Sequence, residues 1–302
     1  MDATPIDAAD HAMRHWTDAE PGPVRPGSER HKRLFCRMLL DTHNPYKPAV
    51  INWPALDDDA LKRLTGLPIW DIAVQTEGRA SVRVATFASL ITDPLLREAL
   101  DLDAAEEARH KRVLGHLVAA YGIALQPEPD YPPPRAPEWA WLVVGYSECI
   151  DSFFAFGLFA LAKQSGYFPP ALVDTFEPVI QEEARHILFF ANWMAWYRRN
   201  TPWWRRPYLA AKVAAVWGFL IWERIGIARG LDDSGAAQDA NFAMTGSGAV
   251  GVELEPRDLI ALCLAENDRR MAGYDPRLLR PTTVPFLARL ALRVLRRGRK
   301  AS

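Results

Sequence analysis

The pentapeptide Glu-Glu-Ala-Arg-His occurs twice, at Glu106–His110 and at Glu182–His186. The copies lie 76 residues apart, as do Pro94 and Pro170, each standing 13 residues before the second glutamate of its copy. Proline favours the first turn of a helix, so each copy occupies the same place in a proline-opened helix and the chain carries an internal repeat. Within the copies, Glu107 and His110, and Glu183 and His186, are three residues apart. At that spacing two side chains leave one helix face with Cβ atoms about 5–6 Å apart, close enough to grip one cation together. Scattering 16 glutamates and 7 histidines over 302 residues produces fewer than one Glu-x-x-His pair by chance.

The helix before each pair supplies one more carboxylate. Glu77 lies inside a predicted helix over 68–91, and Glu148 stands in the apolar run WLVVGYSECIDSFFAFGLFALA. A lone charge in such a run requires a partner. The donor set becomes Glu77, Glu107, His110, Glu148, Glu183 and His186. Four carboxylates and two neutral imidazoles carry a charge that two divalent cations cancel; without them the carboxylates repel and their pKa values rise. Oxygen and nitrogen donors suit iron, with manganese also admitted. The competing reading makes the pentapeptide a solvated face of good helix formers, against which Glu148 weighs most.

Helical patterns dominate, and the expected class is all-α. The first 67 residues, rich in Pro, His and charge with a helical patch over 29–40 and a short helix over 61–67, read as an N-terminal extension wrapping the rest. Four long helices follow within 68–200: 68–91, 94–121, 137–163 and 170–200, the last either starting near Thr175 or bending at Pro178. Between the second and third stand prolines 127, 129, 132, 133, 134 and 137. A dozen extended residues reach roughly 35 Å, the length of a 20-residue helix, so this linker can carry the chain from one end of a bundle to the other. Additional C-terminal helices occupy 201–302, over 203–229, 256–271 and 283–297, with a Gly/Ala/Ser-rich link over 232–251.

Composition narrows the functions. Thirty-six basic against 37 acidic residues leave a net charge of −1, which disfavours nucleic acid as a partner. Cys36, Cys149 and Cys263 form no CxxC, so a disulfide scaffold or cysteine zinc ribbon is excluded, and Cys149 reads as a small buried hydrophobe. The polar start MDATPIDAAD is no signal peptide, and a cytoplasmic location is expected. The apolar stretches 143–162 and 209–228 carry Glu148 and Asp151, and Lys212, Glu223 and Arg224; both read as helices buried in protein rather than membrane spans. Gly246-Ser-Gly248 lacks the context of a phosphate loop. His11 and His15 read as a solvated pair. The last helix sets Arg289, Arg293, Arg296 and Arg297 apart from Leu287, Leu290 and Val294. It either packs on the bundle or lies on an anionic membrane or acidic partner.

On Glu77, on Glu-Ala-Arg-His at 107–110 and 183–186, and on Glu148, the chain resembles the ferritin-like di-iron carboxylate superfamily over about 68–200. The resemblance implies a ferritin-like four-helix bundle with a long crossover and two Fe ions. It implies bridging roles for Glu107 and Glu183, terminal roles for Glu77 and Glu148, and one ion capped by each of His110 and His186. Glu106, Glu182 and Asp151 are candidates to orient the histidines, with Arg109 and Arg185 either pairing with them or solvated. Tyr146, on another helix face from Glu148, is not expected to serve as a radical.

The same resemblance implies an oxidoreductase that activates O2 and oxidises a C–H or N–H bond of a small-molecule substrate, with electrons from an external reductase. Val179 stands where the N-oxygenating branch carries an extra histidine, and no rubredoxin-type CxxC pairs are present. Phe189, Phe190, Trp193, Trp196, Trp203, Trp204, Trp217 and Trp222 are expected to close a substrate pocket against the metals. Iron storage or detoxification without an organic substrate, and a non-catalytic helical binding protein, stay open, as does a homodimer.

Overall fold

A computed structural model describes residues 4–46, 53–230 and 255–298, with side chains omitted for 225–230 and 296–298. The link over 232–251, with Gly246 and Gly248, and the side chains of Arg296 and Arg297 lie outside the described residues. The fold is all-helical: α1 (Pro5–Arg14), α2 (Glu29–Asp41), α3 (Asp58–Thr65), α4 (Trp70–Ala88), α5 (Pro94–Ala120), α6 (Pro137–Ser165), α7 (Pro170–Asn200), α8 (Arg206–Gly230), α9 (Pro256–Met271) and α10 (Thr283–Gly298). Among the described residues no strand forms; Trp16 and Tyr274 make one isolated bridge.

Local chemistry sets the helix ends. The Asp93 side chain accepts from the Leu96 N–H, and Pro94 takes the first turn, so α5 starts where Asp-Pro places it. Gly166, at φ +65°, closes α6 in the left-handed conformation that glycine adopts without strain. α7 runs without a break from Pro170 through Pro178, so the start near Thr175 is not used. α1 was not foreseen: Thr4 and Asp7 form a reciprocal capping box around Pro5, which is enough to start a ten-residue helix.

Helices α4, α5, α6 and α7 pack around one core, with α2 laid across α5 and α7. The link between α4 and α5 is too short for anything but antiparallel neighbours. Phe87, late in α4, stacks on Trp141, early in α6, at 5.6 Å between ring centroids, and Trp193, late in α7, meets Trp141 at 5.5 Å. Hence α6 runs against both α4 and α7. The proline-rich connection makes this order workable: Gln126 N–H donates to Asp71 at the start of α4 (2.7 Å), and Glu128 pairs with Lys111 midway along α5 at 2.5 Å. Farther along, Tyr131 packs over Gly78, where a Cβ would collide with its ring. The extended segment therefore climbs along α4 from one end to the other, as its reach allows.

Two apolar clusters cap the bundle. One gathers Phe35, Phe87, Trp141, Phe189, Phe190 and Trp193; the other gathers Leu64, Trp70, Leu117 and Leu172. Between them lies a polar layer. The terminal segments interlock beside it: Arg14 of α1 and Arg270 of α9 both bind Glu177 of α7 at 3.0 Å, and Tyr274 donates to the Met13 carbonyl. α9 sits tightly on α6 because Gly157 has no side chain; a Cβ there would strike Cys263.

Candidate metal centre

Each of the four bundle helices sends carboxylates into the polar layer. Glu77, Glu107, His110 and Glu183 each place one donor atom within 4.8 Å of the other three, and Asp103, Glu107 and His186 do the same. Glu107 belongs to both groups. The imidazoles of His110 and His186 face one another with 5.7 Å between centroids. Glu148, half-buried with its Oε1 out of solvent, lies beside the second group, with Glu107, Asp103, Glu183 and His186 as its charged neighbours. All six residues singled out from the sequence therefore meet in one layer.

The layer contains acceptors without donors. Glu107 Oε1, Glu148 Oε1, His110 Nδ1, His186 Nδ1 and Asp103 Oδ1 are all buried and lack a hydrogen-bond partner. His186 Nδ1 lies 2.8 Å from Glu107 Oε1, and His110 Nδ1 lies 3.2 Å from Glu183 Oε1. Buried polar atoms left unpaired cost about 1–3 kcal/mol each, so such a convergence calls for a cation. These donors fit divalent metal ions: hard oxygens with two imidazole nitrogens.

Protonation tells the same story. Burial and the charges of Glu77 and Glu183 push Glu107 well above the usual carboxylate range, and burial with Glu107, Asp103 and Glu183 does so for Glu148. Burial and the Glu106 charge push Asp103 up to about 6. Burial opposes charge on His110, but Glu182, Glu183 and Glu77 outweigh it and hold the ring protonated; Asp103, Glu106 and Glu107 do this for His186. The protons that this crowding draws onto the layer are ones that bound cations would displace.

The far nitrogens of the histidines explain the repeat. His110 Nε2 lies 2.8 Å from Glu182 Oε2, and His186 Nε2 lies 2.8 Å from Glu106 Oε2. The first glutamate of each copy thus receives the N–H of the other copy's histidine. The arginines follow the same exchange: Arg185 clasps both oxygens of Glu106 at 3.0 and 2.9 Å, and Arg109 pairs with Glu182. With Nε2 committed as a donor, Nδ1 is the nitrogen each ring turns to the layer, available to an ion once its proton is displaced.

Helix α2 and the turn after it seal this outer side. Arg185, fully buried, also donates to Thr42 Oγ1 at 2.7 Å and to the Leu39 carbonyl at 2.5 Å. His43 Nδ1 reaches Glu106 Oε1 at 2.6 Å, and Arg109 donates to the Asn44 carbonyl at 2.9 Å. Burial opposes the charge of Glu106, yet Arg185, His186 and His43 hold its carboxyl well below the usual range. His43, Glu106 and Glu182 also lie within 4.8 Å of one another, but two guanidinium groups fill that space, so it is an ion-pair layer.

Sequence reasoning missed Asp103 and His43, and it left Arg185 open to solvent. Asp103 stands one turn before Glu107 on the same face, a spacing visible in Asp-Leu-Asp-Ala-Ala-Glu-Glu; its counterpart 76 residues on is Val179, so the repeat breaks there. Asp151 does not orient a histidine. It binds Arg224 at 2.7 Å and Ser147 at 2.8 Å, whereas Ser152 donates to Glu183 at 3.2 Å.

A cavity of about 200 Å³ opens on the α4 and α6 side of the layer, with Glu77, Glu107, His110, Glu148 and Glu183 as its polar wall. Ile72, Val113, Val143, Val144, Phe176 and Ile180 form its apolar lining, and Arg79, Arg83 and Glu223 contribute charge. The expected aromatic closure is not found. Phe189, Phe190 and Trp193 belong to the core around Trp141, and Trp196 packs against that core. Trp217 lines a separate cavity of about 590 Å³ beside Tyr146, and Trp203, Trp204 and Trp222 face solvent. The physical reason is register: 189, 190 and 193 follow His186 by up to two turns, beyond the polar layer. Tyr146, packed on Phe190 at 5.0 Å and pushed up to about 12 by burial, stays clear of the layer.

No family model, curated protein or solved structure matches the chain.

Proposed function

We propose that the protein is a ferritin-like di-iron carboxylate oxidoreductase that activates O2 and oxidises a small, mostly apolar substrate. The observation that carries this reading is the pairing of orphaned donors on Glu107, His110 and Glu148 with an apolar cavity that ends on them. A binding protein has no need to bury such repelling carboxylates, and a storage protein has no need of a closed organic cavity beside them.

Glu77, Glu107, His110 and Glu183 would hold one ion, and Glu107 with His186, Asp103 and the neighbouring Glu148 a second. When bound, the ions supply two-electron redox chemistry with O2; manganese is the alternative metal. Glu182 and Glu106 orient the two imidazoles so that Nδ1 faces the carboxylate layer, and the ion-pair layer under α2 excludes water from that side. The apolar walls hold the substrate against the carboxylate layer. The cavity, about 200 Å³ and partly open to solvent, suits a small molecule.

Arg83 gives the substrate a polarity. Burial and the neighbouring charge of Arg79 pull its pKa down against the charge of Glu223 in the same cavity, and among the described residues no carboxylate comes within 4.0 Å of it. An anionic group at one end of the substrate matches it. Reducing equivalents come from a separate reductase. Anaerobic metal analysis followed by O2 addition tests the reading: two irons per chain and one rapid O2-dependent oxidation are expected. Uptake of many irons per chain would indicate storage instead.

A further inference from the structure

We infer that α8 and α10 together dock the protein on an anionic lipid surface. Of the large apolar side chains left exposed among the described residues, most lie on the turn before α8, on α8 itself or on α10. Trp203 is 81% exposed, Trp222 70% and Tyr208 68%. Between Arg206 and Glu223 the only charged residue of α8 is Lys212, which is turned in and bound to Glu138 at 2.9 Å. Four turns of helix therefore face solvent through Tyr208, Ala211, Ala215, Gly218, Ile221 and Trp222, without one charge. A solvated helix face does not look like this. The reading of 209–228 as a helix buried in protein is corrected accordingly: among its described side chains, over 209–224, only Leu209, Val216 and Leu220 are deeply buried.

Helix α10 continues the surface. Val284 and Ala288 at its start border the same apolar cluster as Trp217 of α8, over α6 and α9, and a cavity lined by Ala214, Trp217 and Val284 separates the two helices. Its outer side exposes Phe286, Leu287, Leu290 and Val294, interleaved with Arg289 and Arg293. The helix contains no acidic residue, and Arg205 and Arg206 stand where α8 begins. An apolar face rimmed by cations, with tryptophan and tyrosine among its outermost groups, is complementary to the headgroup region of an anionic bilayer. A second copy of the chain would meet like charge along α10. Neither helix is long and uncharged enough to cross a membrane, whereas α6, the one described helix that is, has most of that length buried inside the protein. The surface is therefore one that lies on lipid.

The test is co-sedimentation of the full chain with phosphatidylcholine vesicles and with vesicles containing phosphatidylserine, at low and at high salt. Binding to the anionic vesicles alone, weakened by salt and accompanied by a blue shift of tryptophan emission, is expected. Arg289→Gln and Arg293→Gln each lower partitioning roughly fivefold. Trp222→Gln lowers it further, with helix content and metal content unchanged in all three variants. Equal binding to both vesicle types, or no binding, overturns the proposal. So does a stable dimer in solution, or a lipid-free monomer, whose tryptophans are shielded from an aqueous quencher; the surface would then be covered by a second copy or by the chain's own residues.

Discussion

Glu106 receives the Nε2 hydrogen of His186 at 2.8 Å from a helix that belongs to the other half of the repeat. His110 and Glu182 repeat the contact in reverse at the same distance. The duplicated pentapeptide thus works by exchange, and neither histidine is oriented by its own helix. This ties metal affinity to residues that need not touch a metal.

Glu106→Gln tests that link. It preserves shape but removes the charge that His186 and Arg185 share, and metal affinity should fall about 10–100-fold while the helical spectrum is retained. Titration calorimetry of the metal-depleted protein measures it. An unchanged affinity would detach the outer layer from the site.

Arg185→Leu should act mainly on stability. Glu106 would stay buried without its two-pronged partner, at a cost of about 3–5 kcal/mol. Denaturant unfolding of the metal-free protein checks this, and a loss below 1 kcal/mol would show that His43 and His186 suffice for Glu106.

Much of this arrangement was legible before any coordinates, and the rest failed for physical reasons. Asp93-Pro94, Pro137, Gly166 and Pro170 act through local capping and dihedral limits, so they mark helix ends wherever they occur. The convergence of the six side chains was legible because Glu148 in an apolar helix and a doubled Glu-x-x-His point to one shared layer. Arg185 was not, because nothing near it in sequence reports that Leu39 and Thr42 arrive from α2. The tryptophans misled for a related reason: a large apolar side chain signals burial, and Trp203 and Trp222 are exposed.

Gly157→Ala should loosen the C-terminal helices. The new methyl would meet Cys263 Sγ, and the Cys263 backbone N and Cα lie 3.0 Å from its position. Overpacking of this kind costs about 1–3 kcal/mol. Limited proteolysis should then cut α9 faster than α5, whereas a uniform change in digestion would argue against local strain.

Glu177 sets one limb of the acid stability. Burial opposes its charge, but Arg270 and Arg14 hold its carboxyl below the ordinary value of 4.5. A carboxylate whose folded pKa is depressed stabilises the fold above the unfolded value and loses that contribution as pH falls below it. Thermal melts from pH 6 to 3 should show the wild type losing stability below about 4.5, with Glu177→Gln less stable at neutral pH and flatter over that window. Parallel curves for the two proteins would contradict the assignment.

Arg83→Leu separates substrate binding from metal binding. Small acids with an apolar body should raise the melting temperature of the wild type. The variant should bind them about tenfold or more weakly, as expected for one lost charged hydrogen bond, with the metal content unaltered. Equal binding by both proteins would place the anionic group elsewhere.

The most direct measurement is metal content of protein prepared anaerobically with ferrous iron, for the wild type beside Glu107→Ala and His186→Ala. Two ions per chain in the wild type, with loss of at least one in each variant and helix content retained, is the predicted result. If both variants keep the wild-type metal content, the assignment of the site is wrong.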